Sequence, residues 1–389
     1  MSLASTTRLP AVTLALFGAW GALACQRSSG SAPAPSASVA LVAAGAAHLI
    51  TAEPLSSPSA FELVARPGGL ALLWASARQA PGWLFEAMLA QDGTLQAKAK
   101  SLALPAHTLG KVTDLSATLL GEQLALAWIE QSKDEARAVA TVFADAAPAT
   151  LLDLGPAALS AESARGNIAI AAEQSRERAL LLWRGLEAPC VEPQAAPCVG
   201  FTFRRLRPGV AENSGLPLSV PVPCASHSVE LGVSAGRFHY GVCTREGTEP
   251  VTTMFSIQYD PEYARAEPLL KGCLPLGTLD VAGRPWLVGD CHGKRKAVPV
   301  PLTDEQADPS YIDALDISCT PERAVLRQGR FSVTLREPRA DLQAILPAQL
   351  LPSGARAGWT GKSLVVAYLA AARLETRSFA CRAGTLQPL

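Results

Sequence analysis

The chain has 389 residues with 34 basic and 34 acidic side chains, so it is formally neutral. Neutrality excludes the basic footprint on which nucleic-acid binding depends, so no nucleic-acid partner is expected. Charged residues are only 17% of the chain, and its length is more than one compact globular domain usually holds.

The N-terminus reads as an export signal. Arg8 and the free amine are followed by an apolar stretch from Leu9 to Ala24, which closes on Gly21-Ala22-Leu23-Ala24-Cys25. Small residues just before a cysteine suit a signal peptidase groove. The run is shorter than the roughly 20 apolar residues of a membrane-spanning helix. The segment resembles a bacterial lipoprotein signal with its lipobox, which implies that Cys25 becomes the acylated first residue and anchors the chain to a membrane. Ala22-x-Ala24 also suits the ordinary secretory peptidase, which cuts at the same place and leaves Cys25 free. Residues 25–46, rich in Ser, Pro and Ala and without periodicity, read as a flexible tether. The expected division is a signal peptide over 1–24, an anchor and tether over 25–46, and one folded body over 47–389.

Within the body a hairpin unit recurs: a turn, often with glycine, leads into an apolar strand ending in an aromatic or a cysteine. Copies begin at Gly68, Gly121, Arg178, Gly236, Gly283, Gly329 and Gly361. Trp74, Trp128 and Trp183 close the first three, 54 and 55 residues apart. Such periods suit the four-stranded blade of a propeller. Further strands follow several copies, at Trp83–Leu89, Ala138–Phe143 and Val251–Tyr259. The Gln91-Asp92-Gly93 turn closes the first of these. The fold class expected is all-β, a β-propeller of six or seven blades, with tandem β-sandwiches as the alternative. Gly329 to Gly361, only 32 residues, is tight for four strands and marks a degenerate unit. The segment Ala47–Ala52 is expected to add an outer strand to the last blade and close the ring.

With Cys25 assigned to the anchor, eight of nine cysteines remain, and an even number in an exported chain reads as disulfides. Cys224 with Cys243, and Cys273 with Cys291, flank hairpin turns that place them opposite one another. Cys190 and Cys198 flank a short loop and pair locally. Cys319 and Cys381 pair by elimination.

No catalytic, metal or cofactor pattern appears: there is no H-E-x-x-H, G-x-S-x-G, phosphate loop or calcium loop. No catalytic or metal residue and no cofactor is therefore expected, and no ligand-binding residue is assigned. The tryptophans at strand ends read as packing residues between blades. His292-Gly293-Lys294-Arg295-Lys296 reads as a basic turn, and Arg204-Arg205-x-Arg207 as the end of the strand Phe201–Phe203. Asp114, Asp280, Asp290 and Asp316 are acids near strands. The functional expectation is a membrane-anchored, non-catalytic binding or scaffolding module at the cell envelope, with an envelope protein or a glycan as partner. The alternative is a carbohydrate-active or other hydrolytic enzyme with its site on the central channel.

Overall fold

Near-continuous apolar strands, separated by tight turns, leave both faces of each sheet to be covered, and stacking sheets around a ring covers them. A computed structural model describes residues 46–389 except 78–82, 103–109, 134, 144–149, 158–166, 174–176, 189–197, 208–209, 213–217, 221–229, 235–236, 247–248, 259–262, 301–309, 313–314, 347–350 and 353. The described residues form seven antiparallel sheets, taken here in chain order as blades one to seven.

Strand β1 (His48–Thr51) leads into blade one, which comprises β2 (Phe61–Arg66), β3 (Gly69–Ala75), β4 (Leu84–Leu89) and β5 (Lys100–Ser101). Blade two holds β6 (Lys111–Leu120), β7 (Gln123–Gln131), β8 (Ala136–Phe143) and β9 (Thr150–Pro156). Blade three holds β10 (Ile168–Ala172), β11 (Ala179–Ala188), β12 (Cys198–Arg207), β13 (Val210–Glu212) and β14 (Leu218–Val220). Blade four is β15 (Glu230–Ser234), β16 (Arg237–Glu246), β17 (Glu249–Gln258) and β18 (Tyr263–Lys271). Blade five is β19 (Leu274–Val281), β20 (Arg284–Cys291), β21 (Lys294–Pro299) and β22 (Ser310–Tyr311). Blade six has three strands, β23 (Asp316–Thr320), β24 (Arg323–Gln328) and β25 (Phe331–Leu335). Blade seven is β26 (Arg356–Trp359), β27 (Ser363–Ala370) and β28 (Arg373–Arg382), with β29 (Thr385–Pro388) beside β28.

First strands of successive blades lie side by side: β2 against β6, β6 against β10, β10 against β15, and β15 against β19. Strand β26 returns against β2, so the sheets form a ring rather than tandem sandwiches. The chain is an all-β propeller. Between β19 and β26 the 3-10 turn Leu342–Ala344 touches both strands, taking the inner place at the degenerate unit. There Arg339 forms a two-way backbone bridge with Trp359 on β26. Gly358 permits this approach, since a Cβ on it would lie 2.7 Å from the Arg339 carbonyl oxygen.

The recurring apolar unit occupies the second strand of six blades, and in blade six its copy falls on the third strand, β25. The hydrophobic core is accordingly a set of wedges between blades. Trp128 and Trp83, from blades two and one, meet edge to face at 5.8 Å. Trp183 lies in the wedge between blades two and three. Trp74, Trp128 and Trp183 are 3%, 0% and 2% exposed, which makes them packing residues and not a sugar-stacking face.

Ring closure uses the chain's beginning. Strand β1 pairs with Leu374–Thr376 on the outer edge of β28, while β29 pairs with Phe379–Arg382 farther along that edge. Tight turns of primed type join several strands: Ala282-Gly283, His292-Gly293 and Ala371-Ala372 all have positive φ, as the right-handed twist of hairpins favours.

Two disulfides are described. Cys273 and Cys291 lie just before and at the end of the paired strands β19 and β20, with Cα atoms 4.1 Å apart. Cys319 of β23 is bonded to Cys381 of β28 across 62 residues, joining blade six to blade seven. Disulfides of this kind belong to an oxidising, exported environment. Cys190 and Cys224, one member each of the expected pairs Cys190–Cys198 and Cys224–Cys243, fall outside the described residues, as do Cys25, the signal segment and nearly all of the tether. Among the described residues, no helix is long and apolar enough to cross a membrane.

Candidate functional site

Polar side chains near the inner strands serve first to stitch one blade to the next. Ser56 and Ser57 donate to the carbonyls of Val112 and Thr113 on β6, at 2.8 and 2.7 Å, and Ser59 donates to Thr113 as well. The Asp114 carboxylate, 1% exposed, accepts the backbone N–H of Asn167 at 2.9 Å, linking blades two and three. Beside it Ser116 Oγ accepts the N–H of Ile170. Thr252 Oγ1 donates to the Cys273 carbonyl at 2.8 Å, linking blades four and five. Arg295 Nη1 reaches the carbonyls of Gln343 and Ala344 in the 3-10 turn. Each stitch satisfies a backbone group that burial would otherwise strand.

The seam between blades seven and one carries the densest of these contacts. Ser363 Oγ donates to the Gln91 carbonyl at 2.5 Å, Ser378 Oγ to that of Asp92, and Thr376 Oγ1 to that of Gly93 at 2.6 Å. Three hydroxyls of β27 and β28 thus clasp one turn of blade one. Gly93 has φ +82°, and a Cβ there would come within 3.3 Å of Thr376 and Ser378, so the clasp requires glycine. Inside the seam, Arg356 of β26 and Glu62 of β2 form an ion pair at 2.9 Å with both side chains largely buried.

Above the clasp lies an open cavity of about 330 Å³, at the low end of small-ligand sites. Its lining includes Gly68, Gly69, Gln91, Gln96, Gly361 and Lys362. Gln96 Nε2 donates to the Leu89 carbonyl, which fixes that amide in the wall. Asp92, on the same turn, accepts both the hydroxyl and the N–H of Thr94. The Thr94 hydroxyl bond is the main cause that holds its carboxyl below the usual range. Since the folded pKa is the depressed one, the turn's contribution is present above the ordinary carboxylate range and is lost as pH falls through the lowered value. The cavity presents amides, backbone of three glycines, the Thr360 hydroxyl and one ammonium, beside the apolar Leu89 and Pro338. That set can hold a small polar ligand, and it supplies no nucleophile paired with a base.

The acids singled out from the sequence do not converge. Asp114 is a blade stitch, as above. Asp280 and Asp290 cap turns, accepting the N–H groups of Gly283 and Gly293 at 2.8 and 2.7 Å. Asp316 is exposed at the start of β23. Glu130, buried but not anticipated, accepts Trp128 Nε1 at 3.0 Å. Among the described residues no three of His, Cys, Asp and Glu are grouped to hold a metal ion. The arginine cluster closes its strand as the sequence reading has it: β12 ends at Arg207, and Arg204 and Arg205 are half-buried within the sheet. A strand of alternating faces carries such residues without a break in pairing.

No family model matches the chain, and no curated protein matches it. Solved structures do. A prolyl endopeptidase matches over 86% of this chain and 50% of its own, at 11% identity and a TM-score of 0.46. The PQQ-bound aldose sugar dehydrogenase of Streptomyces coelicolor matches over 76% and 98%, at 15% identity and 0.36. The Trypanosoma rangeli sialidase bound to sialic acid matches over 75% and 56%, at 8% and 0.37. At these TM-scores the likenesses assign no site, and the fold rests on the ring of sheets itself.

The clasp gives a direct test. Thr376→Val keeps the shape of a fully buried side chain but removes the donor to Gly93. The expected cost is about 1–2 kcal/mol, from the carbonyl left unpaired, measured as a lower urea midpoint with unchanged slope.

Proposed function

We propose that the chain is an exported protein, acylated at Cys25, whose propeller serves as a non-catalytic binding or scaffolding module at the cell envelope. One observation carries the reading: the buried carboxylates Glu62 and Asp114 link one blade to the next and Glu130 holds the Trp128 indole on its own strand, while the seam cavity offers amides, backbone, a hydroxyl and an ammonium. Polar groups committed in this way rigidify a scaffold. A rigid ring with loop-built faces is suited to presenting a binding surface, to an envelope protein or a glycan.

The test is in-cell crosslinking of the native protein followed by mass spectrometry, beside the Cys25→Ser variant. The native chain is expected in the membrane fraction with a reproducible co-purifying envelope protein or glycan. Cys25→Ser is expected to leave that fraction for the soluble exported one. Unchanged fractionation of Cys25→Ser removes the anchor. A glycan that is turned over instead of retained replaces the module with the carbohydrate-active enzyme.

A further inference from the structure

Blade five carries a cationic and aromatic surface that the seam does not involve. Lys294 and Lys296 are two apart on β21 and therefore share one face of the sheet. Lys296 stands opposite Tyr311 on β22, the strand at the end of that blade. The two ammonium groups lie 5.0 Å (Lys296) and 6.0 Å (Lys294) from the Tyr311 ring centroid, within cation–π range. Tyr311 is itself 47% exposed.

Among the described residues, neither lysine faces an acid across the strand pairing. Lys296 faces Gly289 and Lys294 faces Cys291 on β20. Arg295 alternates to the other face, where it is used on the carbonyls of Gln343 and Ala344. Asp290, opposite Arg295, caps the Gly293 N–H. The basic turn read from the sequence thus divides into one structural arginine and two lysines gathered around an exposed phenol ring.

We propose that this face of blade five docks on an anionic bilayer surface and so fixes how the propeller sits against the membrane. Two ammonium groups match lipid phosphates, and a tyrosine ring at the same level suits the headgroup boundary, where such rings concentrate. The inference rests on the acylation reading only for proximity. A single lipid at Cys25, 21 residues before the first described residue, would fix proximity to the membrane and not orientation.

The unacylated full-length mature chain, Cys25→Ser, is mixed with vesicles of phosphatidylcholine alone or blended with phosphatidylglycerol, and sedimented. Binding is expected to the blended vesicles only and to fall with added salt. Lys294→Gln with Lys296→Gln is expected to weaken it on the order of 20–30-fold, since each lysine near such a surface is worth roughly fivefold. Tyr311→Ser is expected to weaken it less, with the salt dependence kept. A melting curve matching the parent shows that the double variant is folded. Absence of binding, equal binding to both vesicles, or an unaffected double variant overturns the proposal. Retention on polyglutamate without vesicle binding also overturns it, in favour of an acidic protein. Acylation is read separately, from the mass and detergent partition of the native chain, which the lysine changes do not touch.

Discussion

Trp128→Ala is expected to destabilise the propeller by about 3–5 kcal/mol, the range for removing a large ring from a close-packed core. Trp128 is fully buried in the wedge between blades one and two, edge-on to Trp83. Its loss removes that contact and leaves a cavity bounded by strands of two different sheets, which cannot collapse independently. It also strips Glu130, 4% exposed, of the indole donor, and a buried acceptor losing its donor adds a desolvation penalty. Trp128→Phe retains most of the ring and should recover much of the loss. Urea unfolding followed by circular dichroism measures both. A cost under about 1 kcal/mol for the alanine variant would mean that the wedge repacks, and that the blades are held by backbone pairing and polar stitches alone.

The same tryptophan explains how much of the fold was legible. Strands β3, β7 and β11 each carry an apolar run ending near a tryptophan, because a strand with neighbouring sheets on both faces needs hydrophobic residues throughout. That demand repeats once per blade and produces the period. The short unit after Gly329 was legible as an anomaly, and it is the place where blade six has three strands and a 3-10 turn takes the inner position. The closing strand β1 was legible because the last blade lacked an outer partner.

The stitches were not legible. Ser56, Ser363 and Thr376 act by donating to carbonyls, and any carbonyl accepts, so nothing in the sequence marks the partner. Thr376 and Gly93 are 283 residues apart, and only closure of the ring brings them together. The turn at residues 91–93 reads as a local hairpin, and its second role as the clasped element comes from blade seven. The basic run after Cys291 misled for a related reason: alternation along β21 sends Arg295 inward to the 3-10 turn and leaves Lys294 and Lys296 on the other face. Composition cannot separate two faces when the strand's register is unknown.

Replacing both Cys319 and Cys381 by serine is expected to cost about 4 kcal/mol, against about 3 for Cys273 with Cys291. On the model of unfolded-state entropy the cost grows with the closed loop, here 62 residues against 18. The location should matter more than the difference in size. Cys273–Cys291 joins the ends of a hairpin already paired from Leu274 to Val281, so its loss frays one blade. Cys319–Cys381 joins β23 to β28, where the adjoining backbone contact is a hydrogen bond from Cys319 N to the Gly384 carbonyl at 3.1 Å. Blade six, with its short strands, should then open before the rest of the ring. Hydrogen exchange is expected to accelerate first in β23–β25 of that variant, while β3 and β7 keep their protection until global unfolding. If exchange rises evenly through all seven blades, the ring unfolds as one cooperative unit. The apolar wedge of Phe331, Val333 and Leu335 against Trp286 and Trp359, and not the disulfide, then holds blade six in place.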